Sequence, residues 1–371
     1  MNAAEIQQQQ HFDEKVMNTL SSRNATVEEH INVITSESIV HQKPEDRLIL
    51  LKRTLQQAVE LEFGTIPIYL SALWSIKDNL SPIAISIRNV VQEEMLHLAL
   101  VCNMLASIGG KPKIYDISDK GLRYPTKLPG GVHSELTLKL SGLTDDALDD
   151  FLEIELPNEE ITIAPYESKF NDAHSKNHTA TIGALYDAIN KEFQSLAPVM
   201  TPDKQISGPL AWFVIDTLDK VKSAINWIKE QGEGSIDNSP ESTGVDKLSH
   251  FYRFWEVRRR QKIELDKTTG KYVFNSPFPF PEVWPMAVVP VGGYQKKDVS
   301  AEVWELTNNF DITYSKMIYT LESAWSEGGQ AALWKAIDMM FDLEKYAIPL
   351  MKIPKPDGCG NYGPSFRLIR Y

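Results

Sequence analysis

The sequence has little of several features that define common classes of protein. Its 371 residues contain two cysteines, Cys102 and Cys359, too few for a disulfide scaffold or for a zinc or iron–sulfur centre held by cysteines. No apolar run approaches the roughly 18–20 residues that span a bilayer. The polar N-terminus lacks the apolar core of a secretory signal. We therefore expect a cytoplasmic protein with no membrane contact.

Positive charge is also in short supply. The chain has 38 Lys and Arg against 50 Asp and Glu, a net charge of −12 at pH 7. A nucleic-acid groove or an anionic membrane surface attracts a basic surface, so neither is an expected partner. Apolar residues are plentiful: 42% of the chain is hydrophobic, with 8 Trp, 13 Tyr and 14 Phe. That is enough for a sizeable ordered core.

Helical periodicity dominates the apolar pattern. Steps of three and four residues run from Pro44 to Ile76 and from Pro82 to the glycine pair 109–110, which predicts two helices joined as a hairpin. A long crossover is expected at 111–175. Further helices are predicted at about 178–197, 209–231, 247–260, 299–323 and 328–350. The fold class is therefore all-α, a four-helix core with a long crossover.

Three regions are expected along the chain. Residues 1–44 form a polar N-terminal arm, 45–260 the bundle, and 261–371 a C-terminal extension. The extension combines a segment rich in proline and aromatic residues with two helices and an irregular tail.

Charged side chains on the apolar helix faces are the chemical signal. Glu62 lies on the apolar face of the first long helix, and Glu94 and His97 lie on that of the second. A carboxylate or imidazole in a helical core must be paired, neutral or bound to metal. Glu-x-x-His at i, i+3 can hold one metal ion, and a Glu on the facing helix can supply the next ligand. The alternative is an i, i+3 hydrogen bond without metal.

Six motifs occur in one order: LEFGTIPIYLSALWSI, QEEMLHLALVCNMLASIGGKP, FLEIELP, TIGALYDAI, EQGEG and SHFYRF. Over about residues 46–260 they resemble the ferritin-like family found in iminophenylpyruvate dimer synthases. Those enzymes join two tryptophan-derived imines in the violacein and rebeccamycin pathways. The tail Gly363–Phe366 continues the resemblance. It implies a ferritin-like bundle and iron as cofactor, as one or two ions, with another divalent metal as the alternative.

The resemblance also implies a set of metal ligands: Glu62, Glu94, His97, a Glu on the third helix, Glu233 in EQGEG (with Glu230 as the alternative) and His250. One position departs from the family. The third helix of family members commonly reads TIGEFY, whereas this chain has Ala184 in place of the Glu. Asp187 or Glu192 could replace it only if the helix were rotated. Three Glu and two His then remain, enough for two metals completed by water, for one metal, or for a degenerate site.

Tyrosines and other histidines carry less weight. Tyr69 and Tyr186 are candidates to hydrogen-bond a ligand or to serve as redox-accessible phenols, although core packing is the commoner role. His133, His174 and His178 are expected on the surface. The remaining three, His11, His30 and His41, belong to the N-terminal arm.

The resemblance implies a non-haem metal oxidase or oxygenase of secondary metabolism. Its substrate would be a small aromatic or amino-acid-derived metabolite, with dioxygen or peroxide as co-substrate; a homo-oligomer is also left open. The bisindole synthases of the family are much longer and use haem as well, so their dimerisation reaction is not implied. The alternative is a non-catalytic metal- or ligand-binding protein, with Ala184 marking a degenerate site.

Overall fold

The computed structural model describes residues 25–114, 122–157, 181–208, 214–234, 240–242 and 247–369, with 161, 163, 164 and scattered positions between 7 and 22. Within these residues the fold is mainly helical. Its helices are α1 (Val27–Ile34), α2 (Pro44–Ser75), α3 (Pro82–Ser107), α4 (Asp145–Ile154), α5 (Ile182–Leu196), α6 (Leu218–Gly232), α7 (His250–Arg259), α8 (Ala301–Ser323) and α9 (Gly329–Lys352). The strands are β1 (Thr126–Lys127), β2 (Thr137–Leu138), β3 (Gln261–Asp266) and β4 (Lys271–Pro277).

The predicted hairpin of α2 and α3 forms the centre of the molecule. Helix α3 begins where expected, because the Ser81 side chain accepts a hydrogen bond from the Ala84 amide and Pro82 occupies the first helical position. Pro67 lies inside α2 without ending it. Both helices are buried along most of their length, so polar side chains on their inner faces require partners.

Four further helices close the bundle around this hairpin. Helix α5 packs against α2 and α6, α6 also contacts α3, and α7 contacts both α3 and α4. At the start of α2, Arg47 makes two 2.9 Å hydrogen bonds to the Glu192 carboxylate of α5. The ends of α4 and α6 and the start of α7 meet the middle of the hairpin, where Glu155, Gln231 and His250 contact residues of α2 and α3.

Part of the N-terminal segment forms a helix with a buried apolar face, although the sequence predicts a polar arm. Helix α1 packs on α2 and α5 and buries Val27, Ile31 and Ile34. His30 is also buried, and its Nδ1 donates to Thr54 Oγ1 over 2.8 Å, because the Thr54 hydroxyl itself donates to the Leu50 carbonyl. This part of the arm is thus attached to the bundle.

Two predicted helix boundaries were wrong. Helix α6 begins at Leu218 instead of about 209, because Thr217 caps it and the Ile215 amide bonds to the Gln205 side chain instead. Helix α7 begins at His250, three residues later than predicted. Residues 209–213 lie outside the described part of the chain.

The β3–β4 hairpin and the two helices α1 and α4 were not predicted. Strands β3 and β4 pair antiparallel, with Ile263 opposite Phe274, and the turn places Gly270 at φ 69°, a conformation that glycine adopts readily. Helix α4 lies within the stretch 111–175, which was predicted to be a crossover. The all-α class is nevertheless confirmed, because the strands are short additions to a helical fold.

The C-terminal extension is a helical hairpin with an anchored tail. Helices α8 and α9 pack together, and α9 also contacts α2. In the tail, Ser365 Oγ donates to Asp311 over 2.9 Å, and the Arg367 amide and Nε donate to the same carboxylate. Phe366 stacks on Trp74 of α2, with ring centroids 5.9 Å apart. None of the described helices is long and apolar enough to cross a bilayer.

Candidate metal centre

Three carboxylates and two imidazoles converge between the helices. Glu62 comes from α2, and Glu94 and His97 come from α3. Glu155 directly follows the last residue of α4, and His250 is the first residue of α7. Each is at most 7% exposed. Charged groups at this depth need a partner that offsets their desolvation.

The five residues form two groups that share one carboxylate. In the first, His97 Nδ1 lies 3.6 Å from Glu62 Oε2 and 3.7 Å from Glu94 Oε1. In the second, His250 Nδ1 lies 2.8 Å from the same Glu94 oxygen and 3.6 Å from Glu155 Oε2. Within each group the ligand atoms lie within 4.8 Å of one another. We call these the His97 group and the His250 group.

In each imidazole the nitrogen that faces away from the carboxylate cluster, Nε2, donates a hydrogen bond. His97 Nε2 donates to Gln231 Oε1 over 2.8 Å. His250 Nε2 donates to Glu93 Oε2 over 3.0 Å, and Arg253 donates to the same oxygen. In its neutral form with the proton on Nε2, each imidazole would present the lone pair of Nδ1 to the carboxylates, as a metal ligand requires.

The second oxygen of each carboxylate accepts a hydrogen bond from a hydroxyl group. Tyr186 donates to Glu62 Oε1, Thr65 to Glu94 Oε2 over 2.8 Å, and Tyr69 to Glu155 Oε1 over 2.7 Å. Burial, together with the neighbouring carboxylates, raises the pKa of both tyrosines well above the usual value of 10.0. The phenols therefore stay protonated and act as donors.

The electrostatics of the cluster favour a cation. Burial and the neighbouring Glu155 raise the pKa of Glu94. Burial alone would lower the pKa of His97 and of His250, but the facing carboxylates outweigh it and raise both. For Glu93, burial is likewise outweighed, here by His250 and Arg253, and its pKa falls to about 2. The raised pKa values of Glu94, His97 and His250 all mean that the cluster takes up protons readily, as buried carboxylates do when no other cation faces them.

One buried atom supports a metal in this position. His250 Nδ1 makes no hydrogen bond of acceptable geometry with any described residue, although Glu94 Oε1 is 2.8 Å away. A metal ion between the two atoms would satisfy both. Carboxylate oxygens and imidazole nitrogens suit iron, manganese or zinc.

A small cavity adjoins the cluster on one side. It offers about 30 Å³ and is lined by Glu62, Glu94, His97 and Glu155, together with residues of α5 and the end of α6. His250, Glu93 and Arg253 do not line it. The space suits a molecule the size of water or dioxygen.

Four of the five proposed ligands lie in the cluster: Glu62, Glu94, His97 and His250. Glu233 directly follows the last residue of α6 and lines the adjoining cavity, but neither it nor Glu230 belongs to either group. In that motif Gly232 borders the cluster, because a Cβ there would lie 3.4 Å from Glu155 Oε2.

The structure also shows where Ala184, its two possible replacements and His133 lie. Ala184 lies in the first turn of α5, where its amide donates to Thr181. Neither possible replacement reaches the cluster: Asp187 pairs with Lys229 and Glu192 with Arg47. His133, expected on the surface, is 8% exposed because it lies in a turn between the buried Val132 and Leu136, whose amide donates to its carbonyl. His174 and His178 lie outside the described residues.

The sequence reasoning missed four residues. Glu155 was part of the quoted motif FLEIELP and follows Leu148, Phe151 and Leu152 at helical spacing, so the criterion that selected Glu62 applies to it as well. Gln231 continues the apolar face of α6 beyond Ile228. The pair formed by Glu93 and Arg253 had no comparable signal, because its partners are 160 residues apart.

Comparison with known proteins agrees with this architecture. A sequence model described as ferritin-like matches residues 55–259. Dichlorochromopyrrolate synthase of Lentzea aerocolonigenes is 23% identical over 312 residues, which cover 76% of this chain and 29% of that protein. The chain therefore matches less than a third of that relative's length. A crystal structure of a ferritin-like protein from Caulobacter vibrioides matches with a TM-score of 0.55 at 22% identity, covering 86% of this chain and 97% of the other. At this identity the match concerns the fold alone.

Proposed function

The chain belongs to the ferritin-like family, and from this premise we propose that it is a non-haem di-iron oxidase or oxygenase. The single observation that carries the proposal is that Glu94 Oε1 is shared by two groups, each with its own imidazole and its own further carboxylate. A carboxylate between two such groups suits a pair of metal ions close together. Iron is proposed for its redox chemistry; manganese fits the same donor set.

The protein's own residues hold this centre in place. The hydroxyls of Tyr186, Thr65 and Tyr69 orient the carboxylates, while Gln231 and Glu93 orient the imidazoles. The buried surroundings exclude bulk water and strengthen these interactions. When bound, iron would supply the electrons that activate dioxygen. The adjoining cavity, lined by Glu62, Glu94, His97 and Glu155, would give a molecule of that size room beside the centre.

The proposed substrate is a small aromatic or amino-acid-derived metabolite. The support is the similarity to a protein named for the synthesis of dichlorochromopyrrolate, a pyrrole compound. Because the chain corresponds to 29% of that protein, the reaction it carries out is proposed only as an oxidation of such a molecule.

The test is dioxygen uptake by protein loaded with ferrous ion. The metal-free protein would be loaded without oxygen, freed of excess iron and mixed with aerated buffer in an oxygen electrode. We expect wild type to consume dioxygen and His97→Ala, which removes a ligand atom facing the cavity, to consume little. Lys229→Ala is a matched control, because this residue also lines the cavity but pairs with Asp187.

The same assay distinguishes the rival function. A non-catalytic metal-binding protein would retain iron but consume no more dioxygen than His97→Ala. That result would overturn the oxidase proposal and favour the rival suggested by Ala184.

A further inference from the structure

A second cavity lies between the α2–α3 hairpin and helices α8 and α9 of the C-terminal extension. It offers about 60 Å³, and residues of all four helices line it. Among the described residues, it shares no lining side chain with the cavity beside the candidate metal centre. We call this second space the apolar cavity, and it is a separate place in the molecule.

The lining of the apolar cavity offers almost no hydrogen-bonding group. Its described residues carry apolar side chains, apart from the hydroxyl of Tyr314 and the indole nitrogen of Trp325. The indole nitrogen is already used, because it donates to Asn103 over 2.9 Å. Burial raises the pKa of Tyr314 well above 10.0, so its hydroxyl is neutral. A buried water needs about two to four polar partners, so this lining favours a neutral guest without polar groups.

The apolar cavity is larger than ordinary packing leaves. A water-sized sphere needs about 10–15 Å³, so a volume of about 60 Å³ admits several heavy atoms, whereas protein interiors seldom leave room for more than one water. Small side chains contribute to this space, because Ala99 of α3 and Ala336 of α9 line it. Met95, Met317 and Met340 come from three different helices, and the flexible thioether side chain adjusts to the shape of a guest.

The lining also reaches the surface. Four of the residues that line the apolar cavity are partly buried instead of fully buried: Met95, Leu321, Ile337 and Met340. They belong to α3, α8 and α9, so the mouth of the cavity lies where these helices meet. A small molecule can therefore enter by movement of side chains alone.

The C-terminal tail supplies one wall of the apolar cavity. Phe366 lines it with φ at 48°, a conformation that bulky residues rarely adopt and that persists where the surroundings fix it. Both neighbours of Phe366 are bound to Asp311, Ser365 through Oγ at 2.9 Å and Arg367 through its amide at 3.0 Å. The tail thus holds the Phe366 ring in place as a wall.

We propose that the apolar cavity is a binding site for a small neutral apolar molecule of about single-ring size. The volume sets the size of the ligand, and the apolar lining sets its class. The rings of Phe63, Trp325 and Phe366 lie in the walls and suit the edge or face of an aromatic ring. Because the site is separate from the metal centre, the inference does not rest on the proposed oxidase function.

The test is a calorimetric titration of the full-length protein with benzene, with pyrazine as the control ligand. Pyrazine has nearly the same shape but carries a hydrogen-bond acceptor at each end, and burial would leave these acceptors without partners. We expect saturable binding of benzene, and binding of pyrazine that is weaker by at least about 10-fold. Pyrazine that binds as tightly as benzene would overturn the apolar class of the ligand. Absence of saturable benzene binding would overturn the site itself.

Variants that fill the apolar cavity test where benzene binds. Ala336→Leu and Ala99→Leu should each weaken binding by about 10-fold or more, because the added side chain occupies the space of the ligand. Ala331→Leu is the matched control, since Ala331 lies on the same helix as Ala336 but is exposed, and it should bind benzene like wild type. If one filling variant fails to fold, the other decides. Undiminished binding by a folded filling variant would overturn the location.

Removal of a wall tests the same site in the opposite direction. Phe366→Ala enlarges the cavity, so the preference should shift from benzene toward the larger naphthalene by about 10-fold. An unchanged preference would overturn the role of Phe366.

The titration also stands apart from the dioxygen assay. Benzene should bind equally to metal-free and iron-loaded protein, because the two cavities share no described lining residue. Benzene binding that requires iron would overturn the separation of the two sites. Failure of dioxygen uptake with intact benzene binding would overturn the oxidase proposal alone.

Discussion

At the scale of single residues, the candidate centre combines buried charge with neutral donors. Each of the three carboxylates accepts one hydroxyl hydrogen bond, from Tyr186, Thr65 or Tyr69. Neutral donors fix the orientation of a carboxylate without cancelling its charge, as a cationic donor would. The remaining charge is then available to a metal ion.

Glu155 provides the first prediction at this scale. Its Oε2 belongs to the His250 group, whereas Glu233 belongs to neither group. We expect Glu155→Gln to weaken metal binding by at least about 10-fold, since an amide is a poorer ligand than a carboxylate. Glu233→Gln should bind metal like wild type. Isothermal titration with Co²⁺ or Fe²⁺ measures both, and the reverse order of effects would contradict the assignment.

The sequence predicted part of this site for a definite reason. Glu62, Glu94 and His97 stand on apolar helix faces, so a charge there is visible in the helical period alone. Glu155 met the same criterion but stands at the end of a short helix within the predicted crossover. Gln231 carries no charge to attract notice. The approach of Glu93 to Arg253 depends on the packing of α7 against α3, which no local pattern contains.

At the scale of elements, buried polar pairs connect helices that are distant in the chain. Arg47 of α2 and Glu192 of α5 form such a pair, with side chains 8% and 1% exposed, and Arg47 also donates to Ser195. A single replacement leaves its partner charged and buried. Removal of one partner therefore costs more free energy of unfolding than the intact pair contributes to stability.

This pair gives a prediction for stability. Arg47→Met or Glu192→Leu alone should lower the free energy of unfolding by about 3–5 kcal/mol. The double variant should lose much less than the sum of the two. Urea unfolding of all four proteins measures the coupling, and additive losses would show that the contact is not an energetic pair.

The docking of α1 gives a prediction for pH. Burial is the main reason that the pKa of His30 falls from 6.5 to about 4, with Arg53 contributing. Between these values the unfolded chain takes up a proton that the folded protein does not, so stability is full above pH 6.5 and declines toward pH 4. The loss attributable to His30 is about 2–3 kcal/mol at pH 4.5.

A non-titrating variant isolates this contribution. Because other groups also titrate, the quantity to measure is the difference in unfolding free energy between wild type and His30→Gln. It should shift by about 2–3 kcal/mol in favour of the variant between pH 7.5 and pH 4.5. A difference that does not change with pH would show that His30 is protonated equally in both states.

Element boundaries were predictable where a capping residue coincides with a break in the apolar pattern. Ser81 and Pro82 mark the start of α3 in the sequence, and the structure uses both. At α6 the apolar pattern continues upstream of the true start, and only the cap at Thr217 and the contact of Gln205 with Ile215 end it. The β3–β4 hairpin was missed because its alternating residues are few and follow a helix directly.

At the scale of the whole molecule, the ferritin-like bundle was predictable from ordered motifs and the attachment of its extension was not. The tail is held by Asp311, 54 residues from Ser365, and by the stacking of Phe366 on Trp74. Such contacts follow from the complete fold. The division of the chain at residues 44 and 260 stays a prediction, as does self-association.

The central claim is that one buried cluster holds two metal ions through a shared carboxylate. The most direct test is elemental analysis after anaerobic loading with ferrous ion, on wild type and on Glu94→Ala, with Glu233→Ala as control. We predict two ions per chain in wild type and in the control, one for each group, and loss of both in Glu94→Ala. Wild type without bound iron, or Glu94→Ala that retains its full content, would contradict the account.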